Sequence, residues 1–224
     1  MNSICCFVSA TASTAVSRLA LWRRTARRGC KLGLLFGVPL IAGCAGSGEI
    51  SKGFVNPRLM DAYVPLYMIS NIGIAHFGAG FAVAPHVAVT NEHNANLVAE
   101  DMVLARSRDY DLLFFRTDRE MPVATGDARV GESVIAYGQM GKSTLKEARG
   151  VVRHCAECVA RGTLAYDAHA GQGFSGGPVV DLASGTVVGI TVGFEDGKAE
   201  GGGRRMYAYG MDVVMAEMQR LLGQ

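Results

Sequence analysis

Long helical periodicities are scarce in this chain of 224 residues, whereas 29 residues are glycine. Short apolar stretches punctuated by glycine-rich turns read as an all-β architecture of one or two domains. Basic charge is thin where a polyanion would need it. Six of the 22 lysines and arginines (Arg18, Arg23, Arg24, Arg27, Arg28 and Lys31) fall in residues 1–43, which hold no acid. The remaining 16 face 20 acidic residues, a net −4 that excludes a nucleic-acid-binding body. The apolar run Leu32-Gly-Leu-Leu-Phe-Gly-Val-Pro-Leu-Ile-Ala is too short for the roughly 20 residues a membrane-spanning helix requires. Cysteines number six, and no four ligands fall at zinc-like spacing: Cys155 and Cys158, with His154 and His169 nearby, do not fix a tetrahedral site. Nor does a βαβ pattern surround that Cys-x-x-Cys as a redox motif requires. No metal and no cofactor is expected.

What is present begins with a targeting segment. A basic stretch ending at Lys31 precedes the apolar run, the layout of a secretory signal, so the chain is expected to be exported. The run closes on Leu40-Ile41-Ala42-Gly43-Cys44, which resembles the lipobox of bacterial lipoproteins. That resemblance implies lipidation at Cys44 and anchoring in the cell envelope, in the periplasm or at the outer membrane; plain secretion after an ordinary small-residue cleavage site is the other reading. Arg23-Arg24 fit a twin-arginine signal poorly. The basic region is long, so either translation starts downstream, near Val16, or Ile4 to Trp22 has a role of its own. Residues 1–44 are thus read as the signal, 45–61 as a tether rich in Gly, Ser and Lys, and 62–224 as the folded domain, with membrane contact only through the lipid. Cys5, Cys6 and Cys30 leave with the signal and Cys44 is lipidated. Cys155 and Cys158 remain as an even pair, suited to a small-loop disulfide in an oxidising setting.

The chain is organised around residues 171 to 181, Gly-Gln-Gly-Phe-Ser-Gly-Gly-Pro-Val-Val-Asp, with Ser175 at the centre. A serine hydroxyl becomes a strong nucleophile only when a base takes its proton, and the oxyanion it creates needs donors already aimed at it. Gly173 reaches conformations closed to residues with a Cβ, so its N–H and that of Ser175 are able to point into one small hole. A glycine turn with an incidental serine is the simpler reading of such a cluster taken alone. The letters also satisfy Gly-x-Ser-x-Gly, the nucleophile elbow of α/β-hydrolases, but that motif needs a following helix and a later histidine. Pro178 and the β-rich Thr186 to Val192 follow instead, and all five histidines (76, 86, 93, 154 and 169) come earlier.

Gly-x-Ser-Gly-Gly-Pro followed by Val-Val-Asp resembles the active-serine segment of trypsin-like (chymotrypsin-fold) serine proteases. Upstream, Gly78-Ala-Gly-Phe leads through a hairpin to Thr90-Asn91-Glu92-His93, similar to the Thr-Asn-x-His of the bacterial stress-protease (HtrA/Deg-like) branch. Asp111-Leu-Leu-Phe-Phe resembles the family's Asp-Leu-Ala-x-Leu. On that resemblance His93 is the general base, Asp111 the acid that orients it, Ser175 the nucleophile, and Gly173 and Ser175 form the oxyanion hole. Read without the family, His93 is a strand-end histidine and Asp111 a turn acid, with His86 and Asp109 as their rivals, while His76 within an alternating strand faces solvent or core.

The resemblance covers about residues 62 to 222 and implies an all-β fold of two antiparallel barrels of six-stranded type, spanning about 62–125 and 128–210. A terminal helix over about 211–223 follows, from the helical spacing of Val214, Met218, Leu221 and Leu222. Only 18 positions separate His93 from Asp111, so the first barrel is expected to be trimmed of a strand or hairpin. Asp127 to Gly138, with its Val-Gly-Glu turn, resembles the entry to the second barrel. Gly197 to Gly203 reads as a mobile loop with few side chains to hold it. No internal repeat appears beyond the barrels, and the chain leaves no room after Gln224 for an appended PDZ domain. The implied activity is serine endopeptidase on protein or peptide substrates, against two alternatives: a catalytically silent binding module of protease fold, and an esterase using the same triad. By family position, His169, Thr191 and Gly193 line the specificity pocket. No acid occupies the position of His169, so a taste for Arg or Lys is not supported and a preference for small or apolar residues is expected.

Overall fold

The computed structural model describes residues 48–159 and 162–223; the signal segment and Cys44 lie outside them. The chain enters through β1 (Glu49–Ile50), α1 (Arg58–Ala62), β2 (Tyr63–Ile69), β3 (Ala75–Ala84) and β4 (Val87–Thr90). A 3-10 helix (Glu92–Leu97) and a second short turn lead to β5 (Val103–Arg106) and β6 (Leu113–Arg116). The second half comprises β7 (Ser133–Met140), β8 (Thr144–Arg153), α2 (Ala156–Val159), β9 (Thr163–Ala168), β10 (Pro178–Asp181), β11 (Val187–Asp196), β12 (Arg204–Gly210) and α3 (Met211–Leu222).

Alternation of side chains across the strands explains how two sheets share one molecule. In β7, Val134 and Ala136 join an apolar cluster with Ala148, Tyr166, Phe174, Val188 and Met206. The intervening Ile135 and Tyr137 belong to a larger cluster with Phe81, Val89 and Phe114 of the other sheet. Both faces of β7 are therefore buried, which is why Ser133–Met140 reads as an almost unbroken apolar run. β10 repeats the arrangement, Val179 facing one cluster and Val180 the other.

The second sheet closes. Its order β8-β7-β10-β11-β12-β9 returns to β8 through the β8–β9 pairing, making a six-stranded antiparallel barrel with β1 added at the β8 edge. The first sheet has five strands in the order β2-β3-β4-β6-β5. Among the described residues β5 does not pair with β2, in keeping with the expected trimming: only the 3-10 segments fill the path from β4 to β5. The terminal helix packs Val214 and Met218 into the inter-sheet cluster and ends at Gly223, whose φ of 69° lets its N–H reach the Gln219 carbonyl.

The expected free tether is corrected from Gly48 onward. The Gly48 N–H donates to the His169 carbonyl, and Glu49 and Ile50 pair with Glu147 and Lys146 of β8. Phe54 packs on Tyr63 and Tyr137, with ring centroids 5.1 and 4.7 Å apart, while Leu59 is 3% exposed. Two apolar anchors inside a polar-looking stretch dock it. The loop read as mobile is also held, the Glu200 N–H donating to Asp167 and its carboxylate pairing with Arg153 at 2.9 Å. Cys155 and Cys158 form a disulfide in the β8–β9 connection. Among the described residues no helix is long and apolar enough to cross a membrane, and no cluster of His, Cys, Asp and Glu is arranged to hold a metal ion.

Candidate active site

β4 ends at Thr90, Asn91 stays extended, and the chain turns into the 3-10 helix that carries His93 to the surface with its side chain 46% exposed. Asp111, immediately before β6, meets it twice. Its Oδ2 lies 2.6 Å from His93 Nδ1, and its Oδ1 accepts the His93 backbone N–H at 3.0 Å. The Asp111 backbone is pinned too, its N–H donating to the Tyr209 hydroxyl at 3.2 Å and its carbonyl accepting from Asn91 Nδ2 at 3.0 Å. A carboxylate held in this way keeps the proton of a neutral imidazole on Nδ1 and leaves Nε2 as the acceptor.

The loop bearing Asp111 is anchored from a distant element. Ser107 Oγ accepts the N–H groups of Asp109 and Tyr110 and donates to Glu217 Oε1 on α3. Glu217 is buried, 4% exposed. Its hydrogen bonds with Arg220 hold its carboxyl below the usual glutamate range, assisted by Ser107 and opposed by burial. The rival Asp109 faces Arg220, 3.7 Å away. His86 sits on the β3–β4 turn with φ 63°, and His76 is exposed on β3. Among the described residues neither makes a hydrogen bond or ion pair with a carboxylate.

The nucleophile side is built from backbone. The Phe174 N–H donates to the Gly171 carbonyl and the Gly177 N–H to the Phe174 carbonyl, while the buried Phe174 ring plugs the closed barrel. Gly173 (φ 87°) presses against the Gln139 carbonyl, and Gly176 (φ 77°) against the Ala79 carbonyl and the Thr90 hydroxyl. A Cβ at either position would collide, besides the strain of positive φ. Among the described residues the N–H groups of Gly173 and Ser175 have no acceptor, and Ser175 Oγ makes no hydrogen bond to His93. The Ser175 carbonyl does reach the histidine's neighbourhood, accepting from the Ala79 N–H at 3.0 Å and from Asn94 Nδ2 at 3.1 Å.

The three positions assigned to the specificity pocket are unlike one another. His169 is exposed. Thr191 is 1% exposed, its hydroxyl is bonded to Tyr166, and its N–H and carbonyl bond the Gly177 carbonyl and the Gly176 N–H, so it fastens the nucleophile loop to β11. Gly193 borders open space. Arg204, which carries no signal in the sequence, donates to the Ala170 carbonyl, pairs with Asp196 and lies over the Phe194 ring at 4.0 Å. Asn94, Ser107, Tyr209 and Glu217 were passed over as well. Asn94 had one local signal, a polar residue beside the candidate base; the others act across long sequence separations.

Comparison with known proteins agrees with this architecture. The family described as trypsin-like peptidase domain matches residues 81–190. No curated protein matches the chain. Among solved structures, the serine endoprotease from Yersinia pestis superposes with a TM-score of 0.60 at 19% identity, covering 79% of this chain and 69% of that one. The active form of the Rv3671c protease from M. tuberculosis gives 0.56 at 18%, covering 75% and 83%. The HtrA-type protease AlgW with tripeptide gives 0.58 at 18%, covering 74% and 61%. Residues 81–190 are similar to that peptidase domain, and the two-sheet fold is the trypsin-like one. Its structural neighbours include an HtrA-type protease, a likeness of fold at 18% identity.

Proposed function

We propose that the chain is a serine endopeptidase working through His93, Asp111 and Ser175. The supporting observation is the 2.6 Å contact between His93 Nδ1 and Asp111 Oδ2, made on the element whose next residue binds the carbonyl of Ser175. Ser175 Oγ attacks the scissile carbonyl while His93 Nε2 takes its proton; the oxyanion is met by the N–H groups of Gly173 and Ser175. His93 then returns the proton to the leaving amine, freeing the new N-terminus and leaving an acyl-enzyme. Water attacks that ester with the same base, and Ser175 is regenerated. The Ser175–His93 hydrogen bond forms in this reading on substrate binding, since such contacts are commonly long in unliganded enzymes. Export and lipid attachment at Cys44 belong to the same proposal and rest on the N-terminal sequence.

Fluorophosphonate labelling and casein cleavage test it, each compared with Ser175→Ala. Serine-dependent labelling and cleavage are expected. Labelling without cleavage gives the case to the esterase alternative, and neither reaction gives it to the binding module.

A further inference from the structure

Asn94 is 5% exposed beside the candidate base, and its side chain does not face substrate. Its Nδ2 donates to Thr90 Oγ1 and to the Ser175 carbonyl, both at 3.1 Å. A carbonyl only accepts, so the amide nitrogen must be the atom facing it. Thr90 Oγ1 donates in turn to the Ala79 carbonyl at 2.7 Å, and the Ala79 N–H donates to the Ser175 carbonyl at 3.0 Å. The four groups close a ring spanning β3, β4, the 3-10 helix and the nucleophile loop. Gly78 and Gly176 crowd Asn94 so closely that a Cβ at either would press on its amide, which leaves the side chain little freedom to swing.

We infer that Asn94 is a positioning residue that sets the approach of Ser175 to His93. The inference rests on the proteolytic reading of the site. His93 and Ser175 come from different sheets and share no hydrogen bond, so their separation is fixed by what joins their backbones. Asn94 joins them in one step: the residue bonded covalently to the base is hydrogen-bonded to the carbonyl of the nucleophile itself. Removing the amide leaves the Ala79 N–H as the sole donor to that carbonyl among the described residues and frees the loop to drift. Misplacement by about 1 Å at a reacting centre costs on the order of 100-fold.

The experiment uses the full chain with Asn94→Ala and the near-isosteric Asn94→Asp, which puts an acceptor where the donors stood. Expected for Asn94→Ala is a fall in kcat of about 10- to 100-fold with KM changed less than about threefold, and a parallel fall in the rate of fluorophosphonate labelling, read well below Tm. Hydrogen exchange at the Ala79 amide should accelerate about tenfold as its acceptor loosens, while exchange at Phe81 stays unchanged. A folded variant with wild-type kcat and a wild-type Ala79 exchange rate overturns the inference. So does a lowered Tm with unaltered kcat, the mark of a merely structural contact. If Asn94→Ala fails to fold, Asn94→Asp carries the same readouts. A wild-type protein that neither labels nor cleaves defeats the proteolytic reading instead, and the Ala79 exchange rate then still decides whether Asn94 holds the loop.

Discussion

The two sides of the cleft are specified by different means. On the first-sheet side, side chains do the holding: Asp111 meets His93 through both carboxylate oxygens and is itself fastened by Asn91 and Tyr209. On the second-sheet side the loop is shaped mainly by backbone, with the Phe174 ring beneath it and the Asn94 amide reaching across to it, and its glycines are pressed against carbonyl oxygens. The two also differ in exposure, since His93 is nearly half exposed while Gly173 and Phe174 are buried. A side-chain device is removable without disturbing the fold. A backbone device is bound up with the barrel that supports it, so damage there should appear in activity and stability together.

Asp111→Asn is the sharpest test of that contrast and the largest expected effect. The amide keeps the size of the carboxylate but no longer holds the imidazole with Nε2 free, so kcat should fall by about 10⁴-fold. Tm should hardly move, because the group is partly exposed; a collapse of Tm would break the contrast. Gly173→Ala comes next. Misdirecting one oxyanion donor costs about 10²- to 10³-fold in kcat. The added Cβ must also displace the Gln139 carbonyl, so Tm should fall as well. Loss of activity at unchanged Tm would show that the loop gives way independently of the barrel. Ser107→Ala removes the hydroxyl that holds Asp109 and Tyr110, and a smaller loss of about tenfold in kcat is expected from a looser Asp111.

Much of this site was legible because its motifs are local. Thr90 to His93, Asp111 with the buried strand after it, and the glycines around Ser175 are each contiguous, and each lies beside a short apolar run that forms a strand. The closed barrel was legible only through the family resemblance, with Asp127 to Gly138 as its entry, because an apolar run does not by itself show which strands pair. The docking of residues 48–62 was not, since Phe54 and Leu59 are isolated apolar residues whose partners, Tyr137 above all, lie far along the chain. The support of Asp111 by Ser107 and Glu217 spans 110 positions. A serine in a turn and a glutamate in an amphipathic helix give no sign of each other until the fold brings them together. Arg204 is similar: it reads as a surface cation before the hairpin folds it over Phe194.

The smallest effect expected tests whether the carboxylate on the terminal helix contributes through its charge. Arg220 first, and Ser107 after it, hold the Glu217 carboxyl below its ordinary range despite burial. Its folded value therefore lies below its unfolded one, and the native state binds the proton less readily than the unfolded chain does. The stability this supplies is fully present above the unfolded value, about 4.3 for a free glutamate, and is lost as pH falls through the lowered folded value. Glu217→Gln should accordingly lower Tm at neutral pH by a few degrees and flatten its decline in acid, the two proteins converging below the folded value. Asp167, where burial is outweighed by Arg205, the Glu200 N–H and Arg153 so that its carboxyl is held low, titrates in the same direction in both proteins and so cancels from the difference. An acid limb in Glu217→Gln as steep as in the wild type would mean that the helix holds the Asp111 loop by shape alone. The first-sheet side of the cleft would then depend less on side-chain electrostatics than its contacts suggest.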